Sequence, residues 1–162
     1  MTPATLAPAP LRLALYEPQI PPNTGNIART CVAVAAKLWL VEPVAFRLDD
    51  ASLKRAGVDY WPELEWELVA GWPRLLERLG ERPMWFFSAR ASRPYTEAVY
   101  ARGDAVVFGS ESRGLPPEFH RQYAERMLTI PSRPQVRSLN LSNAAAVVCY
   151  EAVRQFGGLA PA

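Results

Sequence analysis

The stretch RSLNLSN at residues 137–143 places two serines and two asparagines directly before the small and apolar run AAAVVCYEA. Hydroxyls and amides there can satisfy the free N–H groups of a helix's first turn, and Asn140 or Ser142 is the right type for the cap. One cap would do, so Ser138, Asn140 and Asn143 make a surplus of hydrogen-bonding groups at the edge of something buried. Two other stretches carry comparable chemistry. In VVFGSESRGLPP (106–117), Gly109 follows an apolar run and Gly114 precedes Leu115 and two prolines, so the backbone can turn sharply and approach a ligand. Glu111 and Arg113 could equally pair across that turn. In the segment from Asn23 onward, Arg29 interrupts the apolar positions Ile27, Cys31 and Val34. A guanidinium buried there wants an anion, either a carboxylate such as Glu111 or Glu17, or a phosphate.

Other chemistries are excluded by what is missing. The single histidine, His120, sits in the amphipathic segment EFHRQY and reads as a surface or half-buried helix residue, so a Ser-His-Asp arrangement has no base. A dinucleotide site needs G-x-G-x-x-G after the first strand, where this chain has EPQIPPNTGN. Cys31 and Cys149 each lie in an apolar helical pattern without another ligand at metal spacing, and read as buried free thiols with no metal between them. Backbone and amide chemistry remains.

The elements that must position these residues alternate in type. LRLALYEP (11–18), KLWLVEP, LEWELVAG, MWFFS, AVVFG and MLTI read as strands. Residues 23–36, with Asn23 or Thr24 as cap, DDASLKRAG, WPRLLERLG and the stretch from about Ser142 to Phe156 read as helices, the last ending at Gly157-Gly158. This alternation predicts an α/β domain with a mainly parallel sheet flanked by helices on both faces. Ligands of such sheets bind at the carboxyl ends of the strands, where all three polar loops fall.

At 162 residues and 49% apolar, the chain suits one domain, taken as residues 11–158, between a disordered tail at 1–10 and a short tail at 159–162. MTPATLAPAP has neither a cationic start nor an apolar segment, and no stretch is long enough to span a membrane, which implies a cytoplasmic protein. A net charge of +2 makes no broad basic field, so any RNA site must be local or shared between chains. The last helix begins apolar nearly all round, as expected of a helix buried on both sides.

The three loops, LYEPQIPPNTGNIARTC, FGSESRGLP and IPSRPQVRSLNLSNAAAVVCYEA, resemble in order and spacing the signature motifs of the SPOUT class of RNA methyltransferases. Within it they are similar to the small tRNA ribose methyltransferases that act on the wobble nucleotide, position 34, and LKRAGVDYW (53–61) resembles that subfamily too. The resemblance runs from about residue 12 to residue 157. It implies a C-terminal trefoil knot, S-adenosylmethionine as cofactor, transfer of its methyl group to a ribose 2′-hydroxyl in a tRNA anticodon loop, and an antiparallel homodimer in which the arginine of one chain faces the cofactor of the other. Carried over by position, the cofactor would be held by Phe87, Ser88, Gly109, Glu111, Gly114, Ile130, Ser138, Leu139 and Asn140. Arg29 would be the catalytic arginine, with Asn23, Ser138, Asn140 and Glu111 completing the catalytic set and fixing its geometry. Methyl transfer from a sulfonium is an in-line displacement that asks for positioning and exclusion of water, which fits the poverty of acid–base groups. Arg133 and Arg137 are expected to face RNA, and Tyr60 to offer a stacking surface, whereas Trp61 is expected in the core.

Overall fold

In a parallel sheet covered on both faces, strands have no solvent side and read as unbroken apolar runs. The computed structural model, which describes residues 8–49, 51 and 59–159, shows this in RLALY (β1, Arg12–Tyr16), KLWLV (β2, Lys37–Val41) and AVVF (β5, Ala105–Phe108), all buried along their length apart from the terminal residues. With β3 (Trp66–Val69), β4 (Met84–Phe87) and β6 (Met127–Leu128) they form a six-stranded sheet in the order β3-β2-β1-β5-β4-β6, every pairing parallel.

The period of two sorts each strand's side chains between two cores. Leu13, Leu15 and Val106 face a layer made by α1 (Pro21–Val34) and α4 (Leu141–Gln155), where Ile27, Cys31, Val148 and Cys149 are fully buried. Ala14, Trp39, Phe86 and Val107 face α2 (Trp72–Leu79) and α3 (Pro117–Gln122), against Leu75 and Phe119. Burial pushes the Cys149 thiol up to about 12 and raises Cys31 well above the usual thiol range. Both are free, and in this core they behave as small apolar residues rather than nucleophiles.

The strand order grows outward from β1 through β2 and β3 on one side and through β5, β4 and β6 on the other. The crevice where that order reverses opens above the carboxyl ends of β1 and β5.

Several boundaries differ from those expected. Helix α1 starts two residues before Asn23, with Ile20 at the N-cap and no side-chain cap, because Pro21 and Pro22 supply a preset φ and lack the N–H groups a cap would serve. Strand β6 ends after two residues, since the chain then leaves the ladder. Its next residue, Thr129, is gripped by the β4–β5 connection: its N–H donates to the Arg93 carbonyl and its carbonyl accepts from the Tyr95 N–H. Ala9 is buried and the Pro10 carbonyl accepts from the Gly103 N–H, so these two residues pack on the domain instead of belonging to a tail. The helix expected in DDASLKRAG lies mostly outside the described residues. Trp61 lies tilted on Trp66 at 4.8 Å, partly buried and packed against the core rather than within it, and Tyr60 beside it is exposed.

Candidate functional site

The proline-rich loop after β1 delivers the amides of Gln19 and Ile20 at the start of α1, and these need acceptors. The Glu111 carboxylate, from the loop after β5, supplies them. Its Oε2 accepts from the Gln19 N–H at 2.8 Å, and its Oε1 accepts from the Ile20 N–H at 3.0 Å and from Asn23 Nδ2 at 3.2 Å. A carboxylate at this end of the helix also meets the positive end of its dipole. The Gln19 side chain returns the bond, its Oε1 accepting from the Ser112 N–H at 3.0 Å. Asn23 Oδ1 in turn accepts from Asn140 Nδ2 at 3.0 Å, and Asn140 Oδ1 caps α4 by accepting from the N–H groups of Ser142 and Asn143 and from the Ser142 hydroxyl. One unbroken chain of hydrogen bonds thus ties all three polar loops together. Glu111→Gln is expected to lose the acceptor for one or two of these donors, at about 1–3 kcal/mol. The fall in thermal midpoint, at about 2–4 °C per kcal/mol for a chain of this size, checks it.

The loop that carries Glu111 is shaped by its glycines. Gly114 adopts φ +67° and donates its N–H to the Ser110 carbonyl at 2.8 Å, closing the turn. The turn folds back so tightly that a Cβ on Gly109 would overlap the backbone of Gly114 and Leu115. Arg113 does not pair with Glu111, whose oxygens are already engaged.

Above these loops lies a cleft of about 710 Å³. All nine residues expected to hold a cofactor line it: Phe87, Ser88, Gly109, Glu111, Gly114, Ile130, Ser138, Leu139 and Asn140. The volume falls in the range of small-molecule sites, about 300–1,000 Å³, and Phe87, Leu115 and Leu139 provide apolar wall. Residues 131–140 are exposed throughout, and the backbone groups of Ile130, Ser138 and Leu139 have no hydrogen-bond partner among the described residues. Free peptide groups beside an apolar wall suit a ligand with an adenine edge and an aliphatic arm, so the residues fit S-adenosylmethionine. Among the described residues no three His, Cys, Asp or Glu side chains come together as metal ligands, and no helix is long and apolar enough to cross a membrane.

His120 and Gln19 are among the residues of the site not expected from the sequence. His120 lies on α3, half-buried in the cleft wall with Nε2 3.5 Å from Ser88 Oγ, and nothing in EFHRQY signals this. Gln19 had a signal, as a polar residue between prolines directly after a strand.

Arg29 departs from expectation more sharply. It is exposed on the outer face of α1 instead of buried, with its guanidinium over the Tyr60 ring at 5.2 Å from the centroid. It does not line its own chain's cleft. Asn23 and Asn140, expected to fix its geometry, bond to Glu111 and to the start of α4. The helix turns buried polar residues, Asn23 and Thr24, toward the core and loops, so Arg29, nearly two turns on, faces out. On α4 one face is buried and the other leaves Val147 and Tyr150 exposed, at 37% and 50%.

The SpoU rRNA Methylase family model matches residues 10–150. The tRNA (cytidine(34)-2'-O)-methyltransferase of Saccharophagus degradans is 44% identical, over 90% of this chain and 95% of its own length, and that of Methylovorus glucosotrophus is 43% identical over 88% and 94%. A solved structure concerned with the 2-OH methylation of C/U34 on tRNA superposes with a TM-score of 0.86 at 44% identity, covering 91% of this chain and 96% of the other. An AdoMet-bound rRNA methyltransferase from Sinorhizobium meliloti superposes with a TM-score of 0.78 at 25% identity, over 89% of this chain and 56% of the other. With a matching family model over most of its length and relatives at 43–44% identity, the chain belongs to the SpoU methylase family of RNA methyltransferases.

Proposed function

We propose that this protein transfers a methyl group from S-adenosylmethionine to the ribose 2′-hydroxyl of the wobble nucleotide, position 34, of tRNA. The carrying observation is the cleft: three loops far apart in sequence converge on it, and every residue expected to hold the cofactor lines it. The tRNA and the position follow the relatives at 43–44% identity rather than the rRNA of the family description, because those relatives align along nearly their whole length.

Bound in the cleft, S-adenosylmethionine supplies an electrophilic methyl group on a sulfonium. The chain's own residues do the rest. Ile130, Ser138 and Leu139 offer backbone donors and acceptors to the adenine, and Phe87 and Leu139 exclude water. Glu111, Asn23 and Asn140 hold the loops in register. Arg29 grips the phosphate beside the ribose and stabilises the developing alkoxide. It does not take the proton, since a guanidinium offers five N–H donors and no acceptor, and so acts on the alkoxide as a cation rather than as a base.

Because Arg29 lies outside its own chain's cleft, this role places it in the cleft of a second chain, and the protein works as a homodimer. The open face of α4, with Val147 and Tyr150, supports this reading, since an exposed apolar stripe on a helix favours a partner. The C-terminal segment is threaded as a knot, a reading supported by the β4–β5 connection, which bonds Thr129 and also holds the end of α4 through Gln155, bonded to the Tyr100 N–H and the Ala98 carbonyl. An enzyme of tRNA works in the cytoplasm.

Incubation with methyl-labelled S-adenosylmethionine and bulk tRNA is expected to label the tRNA, with 2′-O-methylation at nucleotide 34 by mass spectrometry. Label at another position or only in rRNA would move the substrate. No label in any RNA would leave a binding protein of the same fold.

A further inference from the structure

Arginines supply nearly all of the chain's positive charge, and over much of the surface they are spoken for. Arg47 pairs with Asp49, Arg74 with Glu77, Arg78 with Glu67 and Arg154 with Glu151. Around the cleft the pattern reverses. Arg90, Arg113 and Arg137 all line it, all are exposed, and none has a side-chain hydrogen bond or ion pair among the described residues. They come from three separate loops: the turn after β4, the turn after β5 and the exposed loop before α4. The one carboxylate lining the cleft, Glu111, is consumed by the start of α1 and does not neutralise them.

Two of the three stand on fixed backbone. The Arg90 N–H donates to Ser88 Oγ at 3.1 Å, and the Arg113 N–H donates to Ser110 Oγ at 3.3 Å inside the turn closed by Gly114. Arg137 stands in a loop whose next two residues make no hydrogen bond. Rigid turns that each present an unpaired planar fork to one opening are suited to a polyanion with several oxygens, and a guanidinium binds phosphate in a bidentate way. The methionine carboxylate of the cofactor can occupy at most one such fork. Three exceed the cofactor's need.

We infer that Arg90, Arg113 and Arg137 form a phosphate clamp for RNA at the mouth of the cofactor cleft, holding the backbone on both sides of the nucleotide to be methylated. This rests on the proposed RNA methyltransferase reading. It also bears on the low net charge: the chain attracts RNA not by a broad field but by gathering three unpaired arginines round one opening. The clamp contributes affinity and register, whereas the bases are read elsewhere.

The test combines Arg90→Gln, Arg113→Gln and Arg137→Gln, singly and together, with Arg82→Gln as control. Arg82 is an exposed arginine just before β4, at the amino ends of the strands and so at the end of the sheet opposite the cleft. Affinity for tRNA is measured against salt concentration, affinity for S-adenosylmethionine by calorimetry, and KM and kcat in the transfer assay. Each clamp variant is expected to lower the slope of log affinity against log salt by about 1, and the triple variant by about 2–3. The KM for tRNA should rise about tenfold or more in the triple variant, with kcat at saturating tRNA and cofactor affinity held and Arg82→Gln unchanged. An unchanged slope overturns the clamp. So does a slope change matched by Arg82→Gln, or a tenfold loss of cofactor affinity without a slope change, which would give these arginines to the methionine carboxylate. If the wild type methylates a different RNA, the functional reading fails, and the same slopes measured on that RNA still decide the clamp.

Discussion

Arg29→Ala is expected to lower turnover by about 10²–10³-fold, the cost typical of losing one group that stabilises developing charge in a transition state. Cofactor affinity should stay where it is, because Arg29 does not line the cleft. Single-turnover methyl transfer with saturating tRNA, alongside calorimetry with S-adenosylmethionine, separates the two. Arg29→Lys keeps the charge but loses the planar fork, and is expected to fall well short of wild type. Near-normal turnover by the lysine variant would sink the bidentate grip. The Tyr60 ring under the guanidinium holds its plane, a contact of about 0.5–1 kcal/mol at an exposed site, so Tyr60 adds precision to the arginine rather than chemistry of its own.

Gly109→Ala is expected to abolish cofactor binding. The new Cβ would overlap the backbone of Gly114 and Leu115, and backbone cannot rotate aside as a flexible side chain can. The loop would have to open, carrying Glu111 away from α1. Gly114→Ala makes the contrast. At φ +67° a side chain is strained by about 1–2 kcal/mol, but it meets nothing within 4 Å, so the turn should survive with weakened cofactor affinity. Calorimetry on the two variants is expected to give no detectable binding for the first and measurable binding for the second. The same variant bears on the arginine supplied across a dimer. Mixed and allowed to exchange, Arg29→Ala and Gly109→Ala chains would form heterodimers in which the intact cleft of one faces the intact arginine of the other. Activity should reappear in the mixture. Its failure to appear, with exchange demonstrated, would return Arg29 to its own chain's site.

Much of the fold was legible because burial on both faces leaves polar residues only at the ends of β1 and β2 and none in β5, and because Leu75 and Leu79 mark the inner face of α2. The three loops were legible through their glycines, prolines and amides. What was hidden was the partnership between them. Glu111 bonds residues 88 to 92 positions away, and no local pattern reports a contact that only the sheet order creates. The side of α1 that carries Arg29 also differs from expectation. The helix buries Ile27, Cys31 and Val34 as their spacing predicts, but also Asn23, Thr24 and Gly25, and Arg29, about 200° round the helix from Ile27, falls on the opposite face instead of interrupting the apolar one. His120 is the half-buried helix histidine that its segment allowed, but its place in the cleft wall was hidden, because the chain reversal that brings α3 to the end of β4 leaves no mark in that segment.

The chain of hydrogen bonds from Glu111 through Asn23 to Asn140 makes helix α1 a lever. Its first turn hangs from two residues that line the cofactor cleft, and its outer face, further along, carries Arg29. A ligand that favours one arrangement of those loops therefore favours one orientation of the arginine. By thermodynamic reciprocity, whatever factor the cofactor applies to RNA binding through this helix, RNA applies to cofactor binding. In the proposed dimer, which joins each arginine to the opposite cleft, such coupling would run from one chain's cofactor loops to the other chain's RNA.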